Sequence, residues 1–175
     1  MLENFQINSD EIDKIKKITP KEKNFRIKNL KFFQNTGFPN KKQEDWKFSD
    51  FQNIVNSNFD ELEAVNISSN INKISTLKDF DHNYIFLVNG VLHSSNFDYE
   101  EKGKIKIKTY KSNVNYQSNK NPLICLNHAL AENGYSLEVE ENYKLKKVLV
   151  IYNLFTKDVK NKILNNKNEI KKKKK

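Results

Sequence analysis

Cys125 and His128 stand three residues apart in "NPLICLNHALAENG". On a helix that spacing puts both on one face, where they could offer two ligands to a metal. Two donors do not close a tetrahedral site, the chain has no second cysteine, and His82 and His93 lie far off in sequence. A metalloenzyme built on this pair would need tight, stoichiometric metal binding; a packed thiol and a surface or capping histidine is the simpler reading. Acids are abundant, at Glu44-Asp45, Glu100-Glu101, Glu138 and Glu140-Glu141. Paired carboxylates do acid–base chemistry only where a cleft drives their pKa values apart, and Glu138 and Glu140 alternate as the solvated face of a strand would. Gly37, Gly90, Gly103 and Gly134 are all isolated. Neither a G-x-x-x-x-G-K-[ST] phosphate loop nor a G-x-G-x-x-G turn is present, and no nucleophile elbow either. The residues therefore make no case for an enzyme, and no catalytic, metal-ligating or cofactor-binding residue is assigned.

The composition narrows the class further. At 175 residues the chain has room for one domain or two small ones. Its hydrophobic fraction, 37%, is low against the roughly 45–50% usual in globular domains. Tyr, Phe and Trp supply large buried areas, so a thin core under a polar surface is expected. The net charge is +9, but Lys171 to Lys175 carry five of those charges, and Arg26 is the only arginine among 31 basic residues. Phosphate-gripping proteins favour the arginine fork, so charge alone argues weakly for nucleic acid. A lone cysteine fits a reducing compartment. The N-terminus "MLENFQINSDEID" lacks the apolar stretch of a signal peptide. The longest apolar runs, "YIFLV" and "VLVIY", fall well short of the ~20 residues of a membrane helix. The expected location is the cytoplasm.

Any such residues must be positioned by elements the pattern predicts. "SDEIDKIKKI" (9–18) reads as a short helix capped by Ser9 or Asp10. A longer helix follows, with Thr19 as N-cap, Pro20 in the first turn, Phe25, Leu30 and Phe33 at helical spacing, and Gly37 with Pro39 as the stop. "KKQEDWKF" reads as a turn or short helix, and Ser49 or Asp50 can cap "FQNIVNSNF". Residues 84–94 read as a hairpin about Asn89-Gly90. "GKIKIKTY" alternates as a half-exposed strand, and residues 121–134 form a helix from Asn121 and Pro122 to a stop at Gly134. "YSLEVEE" alternates again, and "KKVLVIYNLF" reads as a strand buried on both faces. The organisation expected is a helical domain over 1–65, a β-rich region over 66–157, and a polar, Lys-rich, disordered tail over 158–175.

One stretch is denser in distinctive residues than the rest. "TGFPNKKQEDWKFSDFQNIVNSNF" holds a Gly, a Pro, an acidic pair, the only Trp and four Phe. Its physical role reads as a corner where two helices meet through Trp46, Phe48, Phe51 and Phe59, with Trp46 largely buried. The same stretch resembles the N-terminal signature of SufD, the SufB/SufD-family subunit of the SUF iron–sulfur cluster assembly complex. The match runs through Gly37, Pro39, Lys41, Lys42, Glu44, Trp46 and Lys47, with Phe48-Ser49 where that family has Tyr-Thr. Two further blocks resemble it in order, "YIFLVNGVLHSSNFD" and "LICLNHALAENGYSLEVEENYKLKKVLVIY".

The resemblance implies an α+β fold: an N-terminal helical domain followed by the first strands of a right-handed parallel β-helix, truncated before the later coils. It implies a scaffold subunit, not an enzyme, that works with SufB and the ATPase SufC in the cytoplasm. It also implies that the family's cluster-assembly Cys and His lie beyond this chain, as does the SufC-binding C-terminal domain, so no position here inherits those roles. The iron–sulfur cluster, and a reduced flavin associated with the assembly, belong to the full complex, and this portion is expected to bind no cofactor. No membrane and no small-molecule substrate are expected. The alternative from another class is a Lys-rich nucleic-acid-binding module acting through Lys171 to Lys175.

Overall fold

The computed structural model describes residues 7, 9–43, 46–58, 75–109, 119–156 and 166–173. They fall into two compact units, one helical and one of strands. The fold is thus mixed α+β, with a few helices and two small mixed sheets.

In the helical unit, α1 is a single turn, Asp10–Asp13, shorter than the charge pattern predicts; Lys17 sits at a φ of 62° and ends any continuation. α2 spans Pro20–Thr36. The Thr19 side chain accepts from the Glu22 N–H at 3.2 Å, Pro20 opens the first turn, and Gly37 ends the helix at a φ of 73° with its N–H on the Phe33 carbonyl. α3 spans Phe51–Asn58, and Asp50 caps it through the Asn53 N–H at 3.1 Å. α4 spans Pro122–Leu130, capped by Asn121 Oδ1 on the N–H groups of Leu123 and Ile124. It ends at extended Ala131, not at Gly134. Although it lies between strands in the sequence, α4 packs with α2: Leu126, Ala129 and Leu130 share a buried cluster with Ile12, Leu30, Phe33, Phe38 and Val55.

The strand unit holds β1 (Asn83–Val88), β2 (Val91–Asn96), β3 (Ile105–Thr109), β4 (Asn133–Glu140), β5 (Leu149–Leu154) and β6 (Asn166–Lys173). The hairpin forms about Asn89 and Gly90, both left-handed with φ of 49° and 79°, as a tight hairpin turn demands. A bulge at His93 interrupts its ladder. Asn89 also clips the far end of β5. Its N–H donates to the Leu154 carbonyl, its side-chain NH₂ donates to Thr156 Oγ1, and its Oδ1 accepts from the Thr156 N–H.

The sheet orders are β2-β1-β5 and β3-β4-β6. In each, an antiparallel pair is extended by a parallel strand: β5 beside β1, and β6 beside β4. Ile85 and Leu87 from the first sheet meet Tyr135 and Leu137 from the second in one core, with Leu92, Ile105, Ile107, Val139 and Leu149 packed around them. β1 is the strand buried along nearly its whole length. β5, expected to be buried on both faces, ends its sheet among the described residues instead, and Ile151, Leu154 and the flanking Val148 and Phe155 are exposed. Its apolar run was legible; its place at the end of the sheet is a matter of topology.

The tail also differs from expectation. Within the segment read as disordered, residues 166–173 form β6, in parallel register with β4. Gly134 permits this contact. At a φ of 133° its Cα comes so near Lys167 that an added Cβ would lie 1.9 Å from the Lys167 carbonyl oxygen.

Candidate functional site

Cys125 lies on the α4 face turned into the core, 1% exposed, and its thiol donates to the Asn119 carbonyl at 3.3 Å. Burial pushes the thiol pKa up, away from the reactive thiolate. His128, one turn on, packs its ring 5.6 Å from Phe25. His82 belongs to the strand unit. Its Nε2 meets Tyr152 Oη at 2.7 Å and its Nδ1 the Phe80 carbonyl at 2.9 Å. His93 sits on the hairpin bulge. Among the described residues no three His, Cys, Asp or Glu side chains converge on a common point. The described glycines serve a helix end, turns and one close strand approach.

The aromatic corner is partly as read. Phe33, Phe38, Phe51 and Trp46 form a chain of ring contacts at 5.0, 5.6 and 5.2 Å. Trp46 is only half-buried, and Phe48 is 92% exposed with Lys47 Nζ over its ring. The ring that completes the core is Phe38, beside a fully buried Pro39. Glu44-Asp45 and Phe59 lie outside the described residues.

Two polar arrangements that sequence reasoning missed hold the units together internally. In the helical unit the only arginine is buried. Arg26 pairs with Glu22 one turn earlier at 2.9 Å, and both are almost wholly enclosed. Its other guanidinium nitrogens donate to the carbonyls of Ala129 and Ala131 at 2.9 Å each. These carbonyls are at the C-terminal end of α4, where the helix leaves acceptors without intrahelical donors and its dipole favours a cation. The sole arginine is thus spent as a clamp between α2 and α4.

In the strand unit Glu100 is the hub. Its carboxylate accepts from Asn83 Nδ2 (2.6 Å), Tyr143 Oη (2.8 Å) and the backbone N–H groups of Lys146 and Lys147 (3.0 and 3.2 Å). Burial pushes its pKa upward, but the donors from Asn83, Lys146, Tyr143 and Lys147 together outweigh it and hold the pKa at about 2. The acid is a latch for the segment leading into β5, not a proton shuttle. Since the folded value lies below the ordinary 4.5, its contribution is complete above about pH 4.5 and is lost as pH falls toward 2. Acid titration followed by amide exchange should therefore release residues 143–147 over that window. In Glu100→Gln the release should be present already at neutral pH; identical exchange in the two proteins would refute the latch.

The remaining acids are as plain as their spacing suggests. Glu138 and Glu140 sit on β4 and meet Lys108 at 3.4 Å and Lys104 at 2.7 Å. Among the described residues no helix is long and apolar enough to cross a membrane. What the structure does leave conspicuous is a pair of strand edges. β5 and β6 each end a sheet among the described residues, and Ile151 and Ile170, next to the core residues Ile85 and Leu137 in register, are 42% and 67% exposed. No curated protein and no solved structure matches the chain. The model of the SufBD protein N-terminal region does match, over residues 2–151, and with most of its length inside that match the chain belongs to the SufB/SufD family.

Proposed function

We propose that the chain is a SufD-type scaffold subunit that works with SufB and the ATPase SufC in the cytoplasm to build an iron–sulfur cluster, with no catalysis of its own. The observation that carries this reading is the family match across residues 2–151. The SufD-like run Gly37, Pro39, Lys41, Lys42, Trp46 and Lys47 supports the finer choice within the family. The cluster is cargo of the assembly, and no residue of this chain is given to it as a ligand.

The two parallel pairs, β1 with β5 and β4 with β6, support a solenoid reading of the strand unit as the opening of a right-handed parallel β-helix. In a solenoid each coil buries its face against the next, and Ile151 and Ile170 stand where a following coil would cover them.

A chimera tests the assignment. Residues 1–175 are fused N-terminally to the later coils and C-terminal helices of a full-length SufD, and separately to those of a full-length SufB. Each fusion is expressed in cells lacking the corresponding subunit. Rescue of cluster-dependent enzymes and co-purification of SufC by the SufD fusion alone is the expected result. Rescue by the SufB fusion alone would move the chain to SufB, and rescue by neither would overturn a scaffold role in this machinery.

A further inference from the structure

We propose that His82 is a proton-operated fastener: while its imidazole is neutral it straps residues 77–80 to β5 through Tyr152, and with a second ring proton it lets the strap go. The device lies within the strand unit and is independent of the scaffold role.

The polarity of the hydrogen bonds follows from the partners. The Phe80 carbonyl can only accept, so the Nδ1 that meets it at 2.9 Å carries the ring proton. A neutral imidazole then offers Nε2 as an acceptor. The group facing it is Tyr152 Oη at 2.7 Å, so the phenol donates. The same oxygen accepts from the Leu77 N–H at 3.1 Å. The result is a directed relay: Leu77 N–H to Tyr152 Oη, its O–H to His82 Nε2, and Nδ1–H to the Phe80 carbonyl. The strap has little else to hold it. Residues 75–80 form no helix or strand, and Ser75, Leu77, Lys78, Asp79 and Phe80 are exposed. Among the described residues, the Leu77 N–H makes the one hydrogen bond that this segment places on a strand. A segment with so few buried contacts opens at low cost.

A second ring proton turns Nε2 from acceptor into donor. Tyr152 Oη would then face two N–H donors while its own proton lost its acceptor. A phenol oxygen, conjugated to its ring, accepts one strong hydrogen bond. The imidazolium and Leu77 compete for it, and the charged donor makes the stronger bond. Leu77 is the group displaced. The surroundings offer the cation no other acceptor. His82 is buried among the rings of Phe80, Tyr84 and Tyr152, which attract a cation but hold no lone pair for Nε2–H beyond that phenol oxygen. Asp81, the adjoining acid, is taken by Tyr99 Oη at 3.1 Å and Lys147 Nζ at 3.4 Å. Lys78 and Asp79 ride on the exposed strap itself. Glu100, bound to Asn83 at the start of β1, has its pKa held at about 2 and keeps its charge throughout the imidazole range. Release alters the sheet face turned away from the core, where Tyr152 stacks on Phe86 at 5.7 Å and meets Tyr84 at 6.2 Å.

The test is nitrogen NMR of the intact, isotope-labelled chain, taken from about pH 8 down to about pH 5, the span over which imidazoles change charge. At the alkaline end the ring of His82 should be the Nδ1–H tautomer. As the pH falls, the Leu77 amide should lose protection from exchange by roughly tenfold, the worth of about one hydrogen bond. Its midpoint should coincide with that of the His82 ring-nitrogen shifts. Tyr152→Phe should leave Leu77 unprotected at both ends of the titration, and His82→Gln, which takes up no proton, should remove the step. Protection kept across residues 83–88 reports that the sheet is intact in each variant. An Nε2–H tautomer in neutral His82, Leu77 protection that stays flat while the ring titrates, or a ring that remains neutral throughout would each overturn the fastener. A step at Leu77 that survives His82→Gln would belong to another group and overturn it as well. Should a variant lose its sheet, the tautomer and the shared midpoint in the unmodified chain decide alone.

Discussion

Arg26→Ala is expected to unfold the helical unit, at a cost of ~3–5 kcal/mol, the range for removing one partner of a buried ion pair. The substitution strands the Glu22 carboxylate, which is 2% exposed, and takes the donors from the Ala129 and Ala131 carbonyls at the end of α4. Arg26→Lys should recover only part of the loss, because an ammonium cannot reproduce the planar fork that reaches Glu22 and two carbonyls together. Replacing the pair as Glu22→Leu with Arg26→Met should cost less than Arg26→Ala alone, since no charge is then left buried. Urea denaturation followed by helical circular dichroism measures all three. A loss below ~1 kcal/mol for Arg26→Ala would place the pair among ordinary surface bridges and dissolve the clamp.

The second large effect is expected at Gly134. In Gly134→Ala the new Cβ would stand 1.9 Å from the carbonyl oxygen of Lys167 and 2.6 Å from its carbon. Both atoms are backbone, so no side-chain rotation relieves the clash, and a φ of 133° adds strain for any L-residue. β6 should peel from β4 while the β1–β2 and β1–β5 ladders remain. Amide exchange should show protection lost across residues 166–173 and kept across 83–88. A variant whose β6 amides exchange as slowly as before would show that this approach is not what holds the strand.

Local signals carried most of the elements. Thr19-Pro20 and Gly37 bound α2, Asn121-Pro122 opens α4, and Asn89-Gly90 turns the hairpin, because each is a backbone requirement met by one or two residue types. What was not legible depends on partners distant in sequence. Glu22 and Arg26 are visible as a helical pair, but the carbonyls they serve lie more than a hundred residues away. β5 reads as doubly buried from its composition, yet among the described residues it ends its sheet. A run of lysines reads as disordered because like charges repel. Residues 166–173 nonetheless pair, because β4 offers a ladder and glutamates at alternate positions. Phe48 has the same aromatic signature as Phe51, and only the turn between them decides which points inward. The candidate surface, two strand edges, was foreshadowed by the apolar "VLVIY" but not by anything in the basic tail. The Glu100 latch likewise draws its donors from two stretches distant in sequence, Asn83 and residues 143–147.

The partnership of α2 with α4 also sets a timetable for synthesis. Roughly 85 residues separate Thr36 from Pro122, and a ribosome adding ~5–20 residues per second needs about 4–17 s to make them. For that interval Leu30 and Phe33 are already made, while the Leu126 and Leu130 that will cover them do not yet exist. The nascent chain must keep a half-finished helical core out of trouble while the whole first hairpin is being made, and slow codons or a chaperone at the tunnel mouth would act on this unit before any other.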